Sequence, residues 1–268
     1  MVIKLINPQP NTLILPKDVE KCVLLVGGED LPIVKKIIDE IANSEEIVHS
    51  RGFHTYRCRS ISEGTPFTLA VTGVGPSCTE IAVTEYANCG ARIFLRAGTS
   101  GGLSSTPKLG SVIITTEALR FDGVSDLYVQ KSVKAVADTG VIESLMRSAD
   151  SQSIEYTKGV TLTTSGYYAM GGISKNGVLS FGGYSIDSKF KPVALGKLQN
   201  IVARMSAINV DMETATLFVL SEVYKLKSGA VCGLSNRVPW EPGEQIEFTN
   251  LSLKNAIFVA VKAFDYLQ

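Results

Sequence analysis

Cys22-Val23-Leu24-Leu25-Val26-Gly27-Gly28 followed by Glu29-Asp30-Leu31-Pro32-Ile33 is the stretch that decides the fold class. Five consecutive apolar residues fit a strand buried on both faces, and the glycine pair breaks it. Ile33, Ile37, Ile38 and Ile41 then recur at helical spacing. A strand, a glycine turn and a helix are therefore expected here, the opening unit of an α/β protein.

The same alternation continues along the chain. Leu69-Ala70-Val71-Thr72 reads as a strand, Gly73-Val74-Gly75-Pro76 as a turn, and the stretch from about Thr79 to Cys89 as a helix stopped by Gly90. Further strands are expected at Ile93 to Arg96, Val112 to Thr116, Gly159 to Thr164 and Ala230 to Ser235. Helices are expected from about Leu198 to Met205, Val210 to Lys225 and Leu251 to Leu267. Between Tyr167 and Lys197 the hydrophobic period fails and glycines accumulate, which predicts a long loop or flexible flap at about 167–197. No repeat or linker divides residues 1–268, so a single domain is expected.

Composition narrows the function. The 268 residues are 45% hydrophobic, enough for a large core. The 26 basic side chains match the 26 acidic ones, so no net field favours nucleic acid or an anionic membrane, and any anion site must be local. Five cysteines without a C-x-x-C pair point to a reducing, cytoplasmic setting and offer no zinc ribbon. No apolar run approaches the roughly 20 residues of a membrane span, and Pro8, Pro10 and Pro16 interrupt any signal-peptide pattern.

Three motifs fail for want of context. Gly98-Thr99-Ser100-Gly101-Gly102 satisfies G-x-S-x-G after a strand, but poor helix sequence follows, and the only histidines, His49 and His54, lie upstream. Gly73-Val74-Gly75 lacks the third glycine of a dinucleotide fingerprint, because Cys78 stands there. Gly196-Lys197 lacks the Ser or Thr of a Walker loop. What remains is Arg96 at a strand end beside Gly98 and Thr99. A guanidinium, a hydroxyl and approachable backbone N–H groups suit phosphate, although an ordinary glycine turn with a surface arginine explains the spacing equally well. In Asn209-Val210-Asp211-Met212-Glu213, Asn209 reads as a helix N-cap with two acids in the first turn; a carboxylate there, turned toward a pocket, could accept from vicinal sugar hydroxyls.

In their order along the chain these pieces resemble the nucleoside phosphorylase family, which contains uridine phosphorylase and the hexameric purine nucleoside phosphorylases. The likeness is carried by Gly73-Val74-Gly75-Pro76-Ser77, Phe94-Leu95-Arg96-Ala97-Gly98-Thr99-Ser100-Gly101, Leu109-Gly110-Ser111-Val112, Asp211-Met212-Glu213-Thr214-Ala215 and Ser235-Asn236-Arg237. The Asn236-Arg237 pair and the stretch Leu119-Arg120-Phe121-Asp122-Gly123 look most like the uridine branch. The resemblance implies an α/β fold with a mixed, barrel-like central sheet flanked by helices. It implies phosphorolysis of a nucleoside, uridine first, to free base and ribose 1-phosphate, with inorganic phosphate as co-substrate and neither cofactor nor metal. It further implies phosphate contacts from Gly28, Arg96, Gly98 and Thr99, with Arg51 reaching the neighbouring subunit's phosphate in a homodimer or a hexamer of three dimers. Thr99, Met212 and Glu213 would contact the ribose, Tyr167 would stack on the base, and Asn236 with Arg237 would lie on the base side. Arg96 and Glu213 are the catalytic candidates.

The sequence departs from that pattern at several points. The first loop reads Gly28-Glu29-Asp30-Leu31, with a leucine where the family carries a second phosphate arginine. Ala169-Met170-Gly171-Gly172-Ile173 lacks the Gln and Arg that read a pyrimidine edge. Asn236 replaces the proton-donating aspartate of the purine branch, Ile6-Asn7-Pro8 offers no ribose-contacting histidine, and Gly52 stands in place of a glutamate after Arg51. These departures keep three alternatives open: a purine nucleoside phosphorylase, a nucleosidase that uses water, and a non-catalytic nucleoside-binding protein.

Overall fold

The computed structural model describes residues 6–103, 107–175, 178–180, 186–187, 189–239 and 250–267. The strands are β1 (Cys22–Gly27), β2 (Ala42–Ser50), β3 (Phe53–Ser60), β4 (Pro66–Thr72), β5 (Ile93–Gly102), β6 (Val112–Phe121), β7 (Ala135–Val136), β8 (Tyr156–Thr164), β9 (Ile173–Lys175), β10 (Val178–Ser180), β11 (Ala207–Asp211) and β12 (Lys227–Arg237). The helices are α1 (Leu31–Asp39), α2 (Pro76–Asn88), α3 (Thr139–Ser151), α4 (Tyr167–Gly171), α5 (Lys197–Met205), α6 (Thr214–Tyr224) and α7 (Leu251–Phe264).

The main sheet runs β11-β8-β6-β12-β5-β1-β4-β3-β2, and β11 also pairs with β5. That last pairing, Asn209 opposite Gly102 and Val210 opposite Gly101, closes β5, β12, β6, β8 and β11 into a five-stranded barrel. Pairing is parallel at β5/β12, β6/β8 and β8/β11 and antiparallel at β6/β12 and β5/β11. The expected mixed, barrel-like sheet is present. From the barrel an open wing extends through β1, β4, β3 and β2.

The first strand-turn-helix unit forms as its sequence dictates: every residue of β1 is buried, Asp30 caps α1 by accepting from the Ile33 N–H at 3.3 Å, and Val34, Ile37 and Ile38 turn inward. Apolar faces of α1, α3 and α7 pack one side of the sheet with Leu24, Leu69 and Leu95. Residues of α2 and α6 pack the other with Val23, Ala70 and Phe94. The chain before β1 is tied to this second layer by a carboxylate. Glu85 on α2, buried, accepts from the Asn11 N–H (3.1 Å) and Nδ2 (2.7 Å) and from the Thr12 N–H (2.8 Å) and Oγ1 (2.6 Å).

Several expectations need correction. Asn209, Val210 and Asp211 do not begin a helix; they form β11, and α6 starts only at Thr214 with Glu213 at its cap position and no side-chain capping bond. The reason is closure: Asn209 is fully buried inside the barrel, where it accepts from Thr161 Oγ1 (2.9 Å) and donates to Ser100 Oγ (3.0 Å), a role no local propensity announces. The long loop expected at about 167–197 contains α4 and a β9–β10 hairpin; the part of that flap at 176–177, 181–185 and 188 lies outside the described residues. Ser100 lies within β5, not at a strand-to-helix elbow, so its burial against the barrel interior agrees with rejecting the hydrolase motif. Among the described residues no helix is long and apolar enough to cross a membrane.

Candidate active site

The ends of β1, β5, β8, β11 and β12 converge on a cavity of about 280 Å³. Gly28, Arg96, Thr99, Tyr167, Met212, Glu213 and Asn236 all line it, so most of the residues named from sequence meet in one place. Val210, Met170 and Leu198 supply apolar wall, and Met170 and Leu198 belong to a small satellite core with Leu162 and Ala207.

Arg96 is the electrostatic centre. It sits in β5 at 3% exposure; its guanidinium donates to Glu213 Oε2 from Nη2 and to Cys232 Sγ from Nη1 at 2.9 Å, and pairs by charge with Asp211, whose Oδ2 lies 3.4 Å from Nε without a hydrogen bond. Burial alone would lower the guanidinium's pKa, but Cys232, Glu213 and Asp211 outweigh it, so its pKa lies well above the ordinary value and its charge is permanent. Burial likewise pushes the Cys232 thiol up to about 12, with Arg96 acting in the opposite direction. Gly98, expected at the phosphate, does not line the cavity. Its value is space: a Cβ there would stand 2.8 Å from Arg96 Nη1, so a side chain would displace the guanidinium.

The two acids of the Asp211-Met212-Glu213 run both face Arg96, although on a helix side chains two residues apart would point in different directions. Asp211 ends a strand and Glu213 sits at the helix cap, and the bend between them turns both inward. Asp211 also accepts from Thr163 Oγ1 (2.7 Å) and the Thr214 N–H (3.2 Å), which fixes it as a structural acceptor. Glu213 accepts from the Gly75 N–H through Oε1 (2.7 Å) and from the Met212 N–H (3.2 Å) and Arg96 through Oε2, which leaves one acceptor site, on Oε1, for a further donor.

Sequence reasoning missed Glu29. Its Oε1 accepts from both the Thr99 N–H (2.6 Å) and Thr99 Oγ1 (2.8 Å), and burial raises its pKa despite those bonds. The partners are 70 residues apart, so no local spacing marks the pair.

Besides Gly98, two predicted residues do not line the cavity. Arg51 is exposed at the tip of the β2–β3 hairpin, with φ of 52° followed by Gly52 at 82°, a two-residue turn in the left-handed region. Arg237 does not line the cavity, and its Nη2 donates to the Pro107 carbonyl at 2.6 Å. Asn236 keeps to its own strand end, accepting from Ser235 Oγ at 3.0 Å and donating to the Arg237 carbonyl at 2.9 Å. Tyr167 lies half exposed over the opening, edge-on to Tyr168 at 5.1 Å.

Residues 22–264, nearly the whole chain, match the phosphorylase superfamily. The chain belongs to that superfamily. A uridine phosphorylase of Thermococcus kodakarensis is 32% identical over 254 residues, covering 94% of this chain and 84% of that one. Another from Treponema pallidum is 30% identical, covering 93% of this chain and 90% of that one. Among solved structures, the purine nucleoside phosphorylase of Toxoplasma gondii in complex with immucillin-H superposes with a TM-score of 0.81 at 22% identity, covering 99% of this chain and 98% of that one, which is a likeness of fold.

Proposed function

We propose that the protein catalyses phosphorolysis of a nucleoside, uridine first, yielding free base and ribose 1-phosphate. The observation that carries this is the opposition, across one cavity, of an anion-suited wall (Gly28, Thr99, Arg96) and a carboxylate suited to sugar hydroxyls (Glu213). In this reading the ribose hydroxyls donate to Glu213, and phosphate lies between the Gly28 loop and Thr99 under the positive charge of Arg96. As the C1′–N bond lengthens, the base leaves with the bonding pair and the sugar gains oxocarbenium character. A phosphate oxygen stabilises that charge and then forms the new bond to C1′. Tyr167 covers the base, and Asn236 offers an amide on the base side. Arg51 acts on a neighbouring subunit's phosphate, so the working unit is at least a homodimer, since a two-fold contact lends the same hairpin both ways.

The Glu29 carboxyl on Thr99 favours a second reading, in which water takes the place of phosphate. A panel of uridine, thymidine, inosine and adenosine, each assayed with and without phosphate, tests both. Base release from uridine that requires phosphate is the expected result. Release at an equal rate in phosphate-free buffer makes the enzyme a nucleosidase, and no release from any member removes the catalytic reading.

A further inference from the structure

Thr99 offers two donors to the cavity, and both are taken. Glu29 Oε1 receives the backbone N–H at 2.6 Å and the hydroxyl at 2.8 Å, the short, charge-assisted geometry with which such a loop holds an anion. The carboxyl group therefore sits where the proposed function seats a phosphate oxygen. It reaches that position from the β1–α1 loop, behind a glycine pair of which Gly28 has φ of 76°, and ahead of Asp30, which is committed to capping α1. The first loop thus presents an acid to the seat, while Leu31, two residues on, stands where the family resemblance leads one to expect a second cation. We propose that Glu29 is a resident plug of the phosphate seat, so that phosphate enters only when this carboxyl group takes up a proton or swings out of the cavity. The inference rests on the phosphorolysis reading for its biological meaning, although the seat itself is a property of this chain.

The charge inventory around the seat explains why the two anions exclude each other. Arg96 is the cation facing Glu29, and it is already shared by Glu213 and Asp211; Glu213 also faces Glu29 directly. One guanidinium thus answers to three carboxyl groups before any phosphate arrives. A phosphate dianion beside an ionised Glu29 would place further negative charge in a partly buried site to which this chain itself adds no further cation. Neutralising or expelling Glu29 removes the conflict. Burial also raises the Glu29 pKa, with the two Thr99 hydrogen bonds and Arg96 acting in the opposite direction and Glu213 adding to the rise. The sign follows: as pH falls, Glu29 becomes neutral and the competition weakens, so phosphate binds better; as pH rises, the carboxylate holds Thr99 and phosphate binds worse.

The test is calorimetric titration of the whole protein with inorganic phosphate, without nucleoside, at about pH 6 and about pH 8.5, in buffers of differing protonation enthalpy. Wild type is compared with Glu29→Ala, which clears the seat, and Glu29→Gln, which keeps its shape without its titration. The expected result is that Glu29→Ala binds phosphate about tenfold or more tightly than wild type at the higher pH, with the gap shrinking at the lower one. Wild type should take up more protons per phosphate than either variant, whose uptake reports only phosphate's own second ionisation. Glu29→Gln should bind weakly but with the pH profile of Glu29→Ala. Equal or weaker binding by Glu29→Ala at the higher pH overturns the proposal, as does an absence of binding in all three proteins; tighter binding by Glu29→Ala with equal proton uptake supports the plug and assigns its removal to the swing. Failure of the underlying reading shows separately, as wild-type base release that needs no phosphate. That result would leave the titrations free to support or refute the plug.

Discussion

The barrel mouth and the tip of the β2–β3 hairpin each carry an arginine that the family resemblance assigns to phosphate, and the two could hardly be housed more differently. Arg96 is 3% exposed and meets Glu213, Asp211 and Cys232 within its own chain. Arg51 is exposed on a two-residue turn at the far edge of the open wing, and β2 is the last strand of that wing. A charge buried at folding must find its partners in the same chain, because an unpaired buried ion costs several kcal/mol. A charge left on an exposed hairpin tip acquires a role only from what docks there. The contrast separates a wall that is complete in one chain from one that a second copy would supply.

Breaking the buried side should have the largest effect. Arg96→Ala removes the cation between two buried carboxylates, and the expected loss is about 3–5 kcal/mol of stability together with on the order of a hundred- to a thousandfold in kcat/KM. Thermal unfolding and steady-state rates check both, and a variant with wild-type melting would show that Asp211 and Glu213 do not depend on Arg96. The exposed side predicts the opposite split. Arg51→Ala should shift stability by no more than about 0.5 kcal/mol while weakening phosphate use. Mixing its subunits with inactive Glu213→Ala subunits should restore part of the activity, because one site of each mixed dimer holds both intact residues. No recovery after proven subunit exchange would detach the hairpin from the site. The finest test lies inside the barrel. Gly98→Ala, at a position that does not itself line the cavity, sets a Cβ 2.8 Å from Arg96 Nη1, and kcat/KM should fall by about tenfold with a smaller loss of stability than in Arg96→Ala. An unchanged rate would mean that the exact pose of the guanidinium is unimportant.

Legibility in the sequence followed the same divide between local and distant causes. The β1–α1 unit could be read because a continuous apolar run, a glycine pair and an isoleucine stripe each act within a few residues. Helix α3 was equally readable and was passed over: Asp138 caps it by accepting from the Val141 N–H at 3.0 Å, and Val141, Leu145 and Ala149 form its buried stripe. The β2–β3 hairpin hid behind Glu45, Glu46, His49, Arg57 and Arg59, which break any hydrophobic alternation on an exposed wing. Strand β11 was misread because the barrel interior is polar. Thr115 and Thr161 share a hydrogen bond at 2.6 Å there, and Thr161 passes one on to Asn209, so inward-facing positions carry no apolar signal. Most of the cavity residues were found through motif order alone. Glu29 was not, since nothing near it in sequence reveals that Thr99 will fold against it.

The grip of Glu85 on Asn11 and Thr12 bears on where this folded unit starts. The superfamily match begins at residue 22, with β1, yet the donors that satisfy a buried carboxylate on α2 lie ten residues earlier, in a stretch that contributes no strand or helix to the sheet. The natural edge of the domain is therefore set by hydrogen bonding and not by secondary structure. Swaps between relatives, proteolytic trimming and fusion junctions should respect an edge N-terminal to Asn11, because a cut at β1 would leave Glu85 buried without its donors.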